Sequence, residues 1–327
     1  MMTAAKSQNI PEGGNALRTE RFNLMVRMQN HYIQTLRDRK LSEEMMRWVD
    51  TTLASVSGPR PEGRILAVIG NSGAGKTWAI ERAIKSIPEF KSSILSVTAP
   101  RPCTLKQLGR EILKNLGYGL KRELREHMVW EKVRDHLEGN NVRFVWIDEL
   151  QHAFDGKHDT QLGAISDTFK NLAQRRAWPI SFLLSGLPVV ATFLGRDRQI
   201  ERRSRTLEFG SLKFPGDAKL IRQALLTSII QTDAGMRLGD LASDEFIHQL
   251  CHATEGAFGS VIDLIRSAVL HAVERPKPDG LVRIDDFASA YAAERGCQHS
   301  DNIFLAPNWH QIRPENSRQR DATQEVR

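Results

Sequence analysis

The residues with the most specific chemistry are Gly70-Asn71-Ser72-Gly73-Ala74-Gly75-Lys76-Thr77. They satisfy G-x-x-x-x-G-K-[ST] at every fixed position. A glycine-rich turn lets backbone N–H groups point inward and surround phosphate oxygens with no Cβ in the way. A helix starting near Gly75 aims its positive end at the same phosphates. Lys76 is a flexible cation for the β and γ phosphates of a nucleoside triphosphate, and the Thr77 hydroxyl is a ligand for Mg²⁺. The apolar run Ile65-Leu66-Ala67-Val68-Ile69 precedes the turn, and a helical pattern follows from Trp78 until Pro88 stops it. That strand-turn-helix context favours phosphate binding over a turn that binds nothing.

A second apolar run, Val142 to Ile147, ends in Asp148-Glu149. Buried parallel strands read as continuous apolar runs, and their C-terminal ends face the ligand crevice. Asp148 suits Mg²⁺, through its water shell, and Glu149 suits polarisation of an attacking water. Adjacent residues of a strand point to opposite sides, but a strand end can splay both acids toward the crevice. Ser185 ends a further strand, Ile180 to Leu184, where its hydroxyl can meet the γ phosphate or orient water; it is equally a turn residue before Gly186-Leu187-Pro188. The run from Arg196 to Arg205 is rich in arginine. Such a run is either a solvated face or a source of guanidinium charge for a transferring phosphoryl group, supplied from a neighbouring subunit.

These groups need a scaffold. Strands at 65–69, 94–97, 142–149, 180–184 and around 207–209 alternate with helices, which predicts an α/β fold with a mostly parallel sheet flanked by helices. The expected organisation is a flexible tail at 1–17, an N-terminal helical arm at 18–58, a nucleotide-binding domain at 59–214, a small all-helical lid at 215–298 and a flexible tail at 299–327. In the arm, one helix is expected from Arg18 to Asp38 and a second with Ser42 as its N-cap. The 327 residues suffice for a large core. No apolar run reaches membrane-span length and the N-terminus has no signal-peptide core, so the expected location is cytoplasmic with no membrane partner. Cys103, Cys251 and Cys297 have no metal-site spacing and read as small semi-buried hydrophobes in a reducing compartment. A net charge of +7 permits a polyanionic partner.

Taken together, the phosphate loop, the acid-ended strand at 144–149, Ser185, the arginines before the fifth strand and the helical lid resemble an AAA+ ATPase. More narrowly, residues 18–36, 60–70, Asp148-Glu149-Leu150-Gln151-His152 and Ser185-Gly186-Leu187-Pro188 resemble the TniB/TnsC-like ATPases of DNA transposons, over about residues 18–295. The resemblance implies ATP and Mg²⁺ as ligands. It also implies a homo-oligomer, ring or helical filament, on double-stranded DNA, with a transposase and a target-selection protein as partners. Arg205 fits the arginine-finger place best, with Arg202 and Arg203 as rivals. A sensor arginine early in a lid helix is missing: Arg266 comes two turns after the Gly256–Gly259 turn.

No sequence-reading DNA motif is present. Backbone binding of duplex DNA needs cations aimed at phosphates. Lys106, Arg110 and Lys114 form one helical stripe, with Lys121, Arg122 and Arg125 after it. In the resembled family this region faces the DNA channel; a solvated face is the alternative. The reading is a slow, assembly-dependent ATPase that regulates transposition. A helicase loader and an ATP-gated scaffold with little hydrolysis are the rivals.

Overall fold

A computed structural model of the chain describes residues 12–120 and 122–314. The expectations for residues 1–11, Lys121 and 315–327 lie outside the described residues. The described residues divide into two units: Leu36–Ser211, and residues 12–35 together with 212–314. It opens with helices α1 (Glu12–Asn30) and α2 (Leu36–Val56).

The Leu36–Ser211 unit continues from α2 with β1 (Ile65–Ile69), α3 (Lys76–Ser86), β2 (Ile94–Thr98), α4 (Leu105–Asn115), α5 (Glu126–Gly139) and β3 (Phe144–Asp148). It ends with α6 (Asp159–Ala173), β4 (Ser181–Gly186), α7 (Val189–Gly195), α8 (Arg198–Glu201) and β5 (Ser204–Glu208). The sheet is parallel throughout, in the order β2-β3-β4-β1-β5. Every residue of β1, β3 and β4 is buried, as their unbroken apolar runs require when both faces are covered. Alternation along the strands separates the two faces. Ile65, Ala67, Val145, Ile147, Phe182 and Leu184 pack beneath α4–α8. Leu66, Val68, Phe144, Trp146 and Leu183 pack beneath α2 and α3. On that second face Trp48 of α2 meets Phe144 edge-on at 5.1 Å and lies 6.0 Å from Phe90. Register sets Val68 beside Ser185 and Ile147 beside Leu184. The C-terminal ends of β1, β4 and β3 therefore lie side by side, where the chemistry was expected.

The other unit is helical: α1, then α9 (Ala218–Leu220) running into a wide π-type helix at Ile221–Asp233, then α10 (Asp244–Ala253), α11 (Phe258–Glu274) and α12 (Ile284–Arg295). One isolated bridge, Arg237 to Leu281, is added.

The N-terminal arm and the tails differ from the sequence-based expectations. Helix α1 begins at Glu12, inside the expected tail, and stops at Asn30 instead of running to Asp38. Met28 and Ile33 are buried with the helical unit's core, and the His31 ring bonds Asp233 at 2.7 Å, which holds residues 31–35 out of helix. Helix α2 starts at Leu36, so Ser42 lies within it and caps nothing. The two helices fall in different units. Residues 299–314, expected as tail, contribute Ile303 and Phe304 to the core, with Phe304 5.8 Å from Phe287. Polar neighbours hid that short apolar cluster in the sequence. Among the described residues, no single helix is long and apolar enough to cross a membrane.

Trp48→Ala removes the ring that closes the aromatic cluster over the sheet. It is expected to cost about 3–5 kcal/mol of unfolding free energy. Urea denaturation followed by far-UV circular dichroism checks this.

Candidate nucleotide site

The loop after β1 has the form its residues demand. Gly73 and Gly75 have φ of 71° and 84°, a left-handed conformation that side chains resist. A Cβ on Gly70 would sit 2.5 Å from the Phe209 carbonyl, so only glycine fits where β1 turns. Gly75 is the residue before α3, and no side chain caps that helix. Its first N–H groups are thus free for an anion. The Lys76 ammonium is buried and donates to the carbonyls of Gly70 (2.8 Å) and Asn71 (3.0 Å). Burial lowers its pKa, while the carboxylates of Glu149 and Asp148 pull it back up.

Asp148 is the junction of the site. Its Oδ2 accepts from the Thr77 hydroxyl at 2.8 Å. Its Oδ1 accepts from the Ser185 hydroxyl at 2.5 Å and from the Glu149 N–H at 3.0 Å. Ser185 is fully buried and its Oγ accepts from the Trp146 indole at 2.8 Å. One carboxylate thus joins the ends of β3 and β4 to the start of α3. A hydroxyl and a carboxylate held together suit a hard cation such as Mg²⁺. The cradle at 70–76, the buried ammonium and this oxygen pair fit ATP–Mg²⁺.

Glu149 leaves the strand's alternation by its backbone. Its φ of 55° lies in the left-handed region, rare for a residue with a side chain. This turn at the strand end carries the second acid away from the opposite face. Glu149 Oε2 accepts from the Gln151 carboxamide at 2.5 Å and lies 3.9 Å from His152 Nε2. His152 Nδ1 is 3.2 Å from the Ala99 carbonyl, beyond the end of β2.

The charged run at 196–205 divides into tied and untied groups. Asp197 accepts from the N–H groups of Gln199 and Ile200 and pairs with Lys170 at 2.7 Å, a bond that also lowers its pKa. Arg196 pairs with Asp159. Arg203 bonds Glu62 at 2.9 Å and the Gln199 carbonyl at 2.6 Å. Arg205 is exposed and 3.5 Å from Glu44. Arg202 is exposed and has no charged partner among the described residues. Arg205 sits opposite Leu66 in the register. That is about 13 Å, at roughly 3.3 Å per residue, below the phosphate loop of its own chain.

The basic stripe exists, but acids accompany it. Thr104 caps α4 with a capping box to Gln107, and the helix presents Lys106, Arg110 and Lys114. Lys106 and Arg110 both pair with Glu123, and Lys114 lies 3.3 Å from Glu111. Arg122 and Arg125 are exposed. In the helical unit, Arg266 donates to the Met28 carbonyl and pairs with Asp263 at 3.7 Å. The buried thiols of Cys103 and Cys251 are pushed up to about 11.

A family model described as an AAA domain matches residues 60–194. Cdc6p from Pyrobaculum aerophilum superposes with a TM-score of 0.54 at 12% identity, covering 86% of this chain and 76% of that one. The ORC1 protein of Aeropyrum pernix, in complex with DNA, superposes with a TM-score of 0.54 at 18% identity, covering 86% and 74%. No curated protein sequence matches the chain. The fold is that of an AAA+ P-loop NTPase. Within it, Trp146 and Gln151 have roles that no local sequence pattern marks. A tryptophan inside an apolar strand looks like any other core residue, and a single glutamine two positions past Glu149 belongs to no spacing that marks a function.

Ser185→Ala leaves the Trp146 indole without its acceptor and removes one of the donors to Asp148. The expected cost is about 1–3 kcal/mol, measured by chemical denaturation, with no change in secondary structure by circular dichroism.

Proposed function

We propose that this chain is an ATPase that binds ATP–Mg²⁺, assembles on double-stranded DNA and regulates DNA transposition. The observation that carries the ATPase reading is the three-donor hold on Asp148, beside a buried Lys76 and a carboxylate at Glu149. The backbone of residues 70–76 and Lys76 hold the phosphates, and Thr77 and Asp148 hold the metal. Bound Mg²⁺ supplies charge neutralisation at the β and γ phosphate oxygens. Glu149 orients and polarises the attacking water, and Ser185 keeps Asp148 in place from the neighbouring strand.

No arginine of the 202–205 group approaches its own phosphate loop, which supports a finger delivered to a neighbouring subunit. Arg202 and Arg205 are the exposed candidates; Arg203 is occupied by Glu62. Hydrolysis then depends on assembly. The DNA reading draws on the net charge of +7, on the exposed Lys114 and Arg122, and on the similarity to an ORC1 protein that binds DNA. The transposition reading, with a transposase and a target-selection protein as partners, draws on the family resemblance of residues 18–36, 60–70, 148–152 and 185–188.

Glu149→Gln is expected to keep ATP binding and lose at least about a hundredfold in turnover, as removal of a water-polarising group does. Unchanged turnover in a steady-state phosphate-release assay refutes the mechanism. Arg202→Ala or Arg205→Ala is expected to abolish the stimulation of turnover by assembly on DNA. If neither does, the finger lies elsewhere. On random-sequence duplex, log affinity is expected to fall linearly with log salt. Lys114→Ala or Arg122→Ala is expected to reduce the slope by about 0.9 for each phosphate no longer neutralised. Electron microscopy with ATP and duplex DNA tests the assembly: ordered rings or filaments support it, and a DNA-indifferent monomer overturns it.

A further inference from the structure

Gln151 has no part in the phosphate or metal contacts, yet it is buried beside them. Its carboxamide is used at both ends. Nε2 donates to Glu149 Oε2 at 2.5 Å, and Oε1 accepts from the Leu187 N–H at 3.2 Å. The partners fix the orientation of the amide: a carboxylate only accepts and a backbone N–H only donates. The short turn that bears Gln151, Leu150–Ala153, is itself fastened on the other side through His152 to the Ala99 carbonyl.

The fit against β4 is tight. A Cβ on Gly186, the last residue of β4, would fall inside contact distance of Gln151 Oε1 and 3.0 Å from Val190. Gly186 also accepts the Gly70 N–H at 3.1 Å, at the start of the phosphate loop. Leu187 leads into α7, whose Phe193 stacks on Phe154 at 4.4 Å, and α7 leads through α8 to Arg202.

We propose that Gln151 is a positioning residue that fixes the Glu149 carboxylate and ties its orientation to the tip of β4. One carboxylate oxygen is taken by the carboxamide, which leaves the other for water. The other end of the same carboxamide reads the backbone at Leu187, on the segment that presents the arginines. A displacement of that segment is thereby felt at Glu149. This rests on the ATPase reading of the site and deepens it.

Two variants attack the connection from opposite sides. Gln151→Ala removes the carboxamide. Gly186→Ala keeps it but forces it off Leu187 and Glu149, since a flexible side chain yields before backbone does. Each is expected to lower kcat for ATP about tenfold with KM within about twofold, the pattern of a lost transition-state interaction. The double variant is expected to be no slower than the slower single variant. Unchanged kcat, a rise in KM alone, or multiplicative losses overturn the proposal.

Thermal unfolding provides a reading that needs no turnover. The fall in midpoint caused by Gln151→Ala is expected to shrink when Glu149 is already alanine, because the shared bond is gone. Equal falls in both backgrounds overturn the proposal. A wild-type chain that hydrolyses no ATP, with or without DNA, refutes the ATPase reading, while the midpoint cycle still decides the bond.

Discussion

The site depends on one carboxylate with three donors. Asp148 accepts from Thr77, Ser185 and the Glu149 N–H, and these belong to three separate stretches of chain. A charge buried this deeply is tolerable only when it is well hydrogen-bonded. The Ser185 hydroxyl is oriented in turn by the Trp146 indole, which reaches it from inside the sheet. The order β3-β4-β1 makes this possible, since it sets the ends of those strands next to each other. Topology, core packing and the placement of the Asp148 and Thr77 oxygens are thus a single arrangement. Loosening the Trp48, Phe90 and Phe144 cluster under β3 disturbs the strand that carries the carboxylate.

The central part of the fold was legible because its signals are strong and local. Continuous apolar runs predicted β1, β3 and β4, and the spacing of Gly70, Gly75, Lys76 and Thr77 predicted the loop between β1 and α3. The positions of Asp148 and Ser185 followed from where such runs end. The arm was less legible. Phe22, Met25, Val26, Met28, Tyr32, Ile33 and Leu36 have helical spacing; Met28 and Ile33 are buried, but Phe22, Val26 and Leu36 are exposed, and Leu24, outside that pattern, shares the packing. The break at residues 31–35 is made by burial and by Asp233, and distant partners leave no local trace. Gln151 lies in a stretch that carries the family resemblance, but its role was not legible for the same reason: its partner is Leu187, on another strand's exit.

Charge patterning was legible only in part. A run of arginines looks uniform in sequence, but the acids that occupy each one decide its freedom. Glu62 takes Arg203, Asp159 takes Arg196, and Arg202 keeps its guanidinium in solvent. Glu123, ahead of α5, and Glu111 of α4 answer the three cations of the α4 stripe. Exposed pairs of this kind contribute little to stability and are screened by salt. A polyanion can therefore compete for the same cations at modest cost.

The helical unit takes residues from both ends of the described chain, and this has a consequence for synthesis. Leu24 and Met28 of α1 leave the ribosome long before Ile221, Leu264 and Ile265 exist to cover them. All strands of the sheet unit emerge in the interval, so that unit can complete its core first. Until then Leu24 and Met28 of α1 have nothing to pack against and are open to chaperones. A ribosome stalled within α10 would display a finished nucleotide fold beside an unclosed helical one.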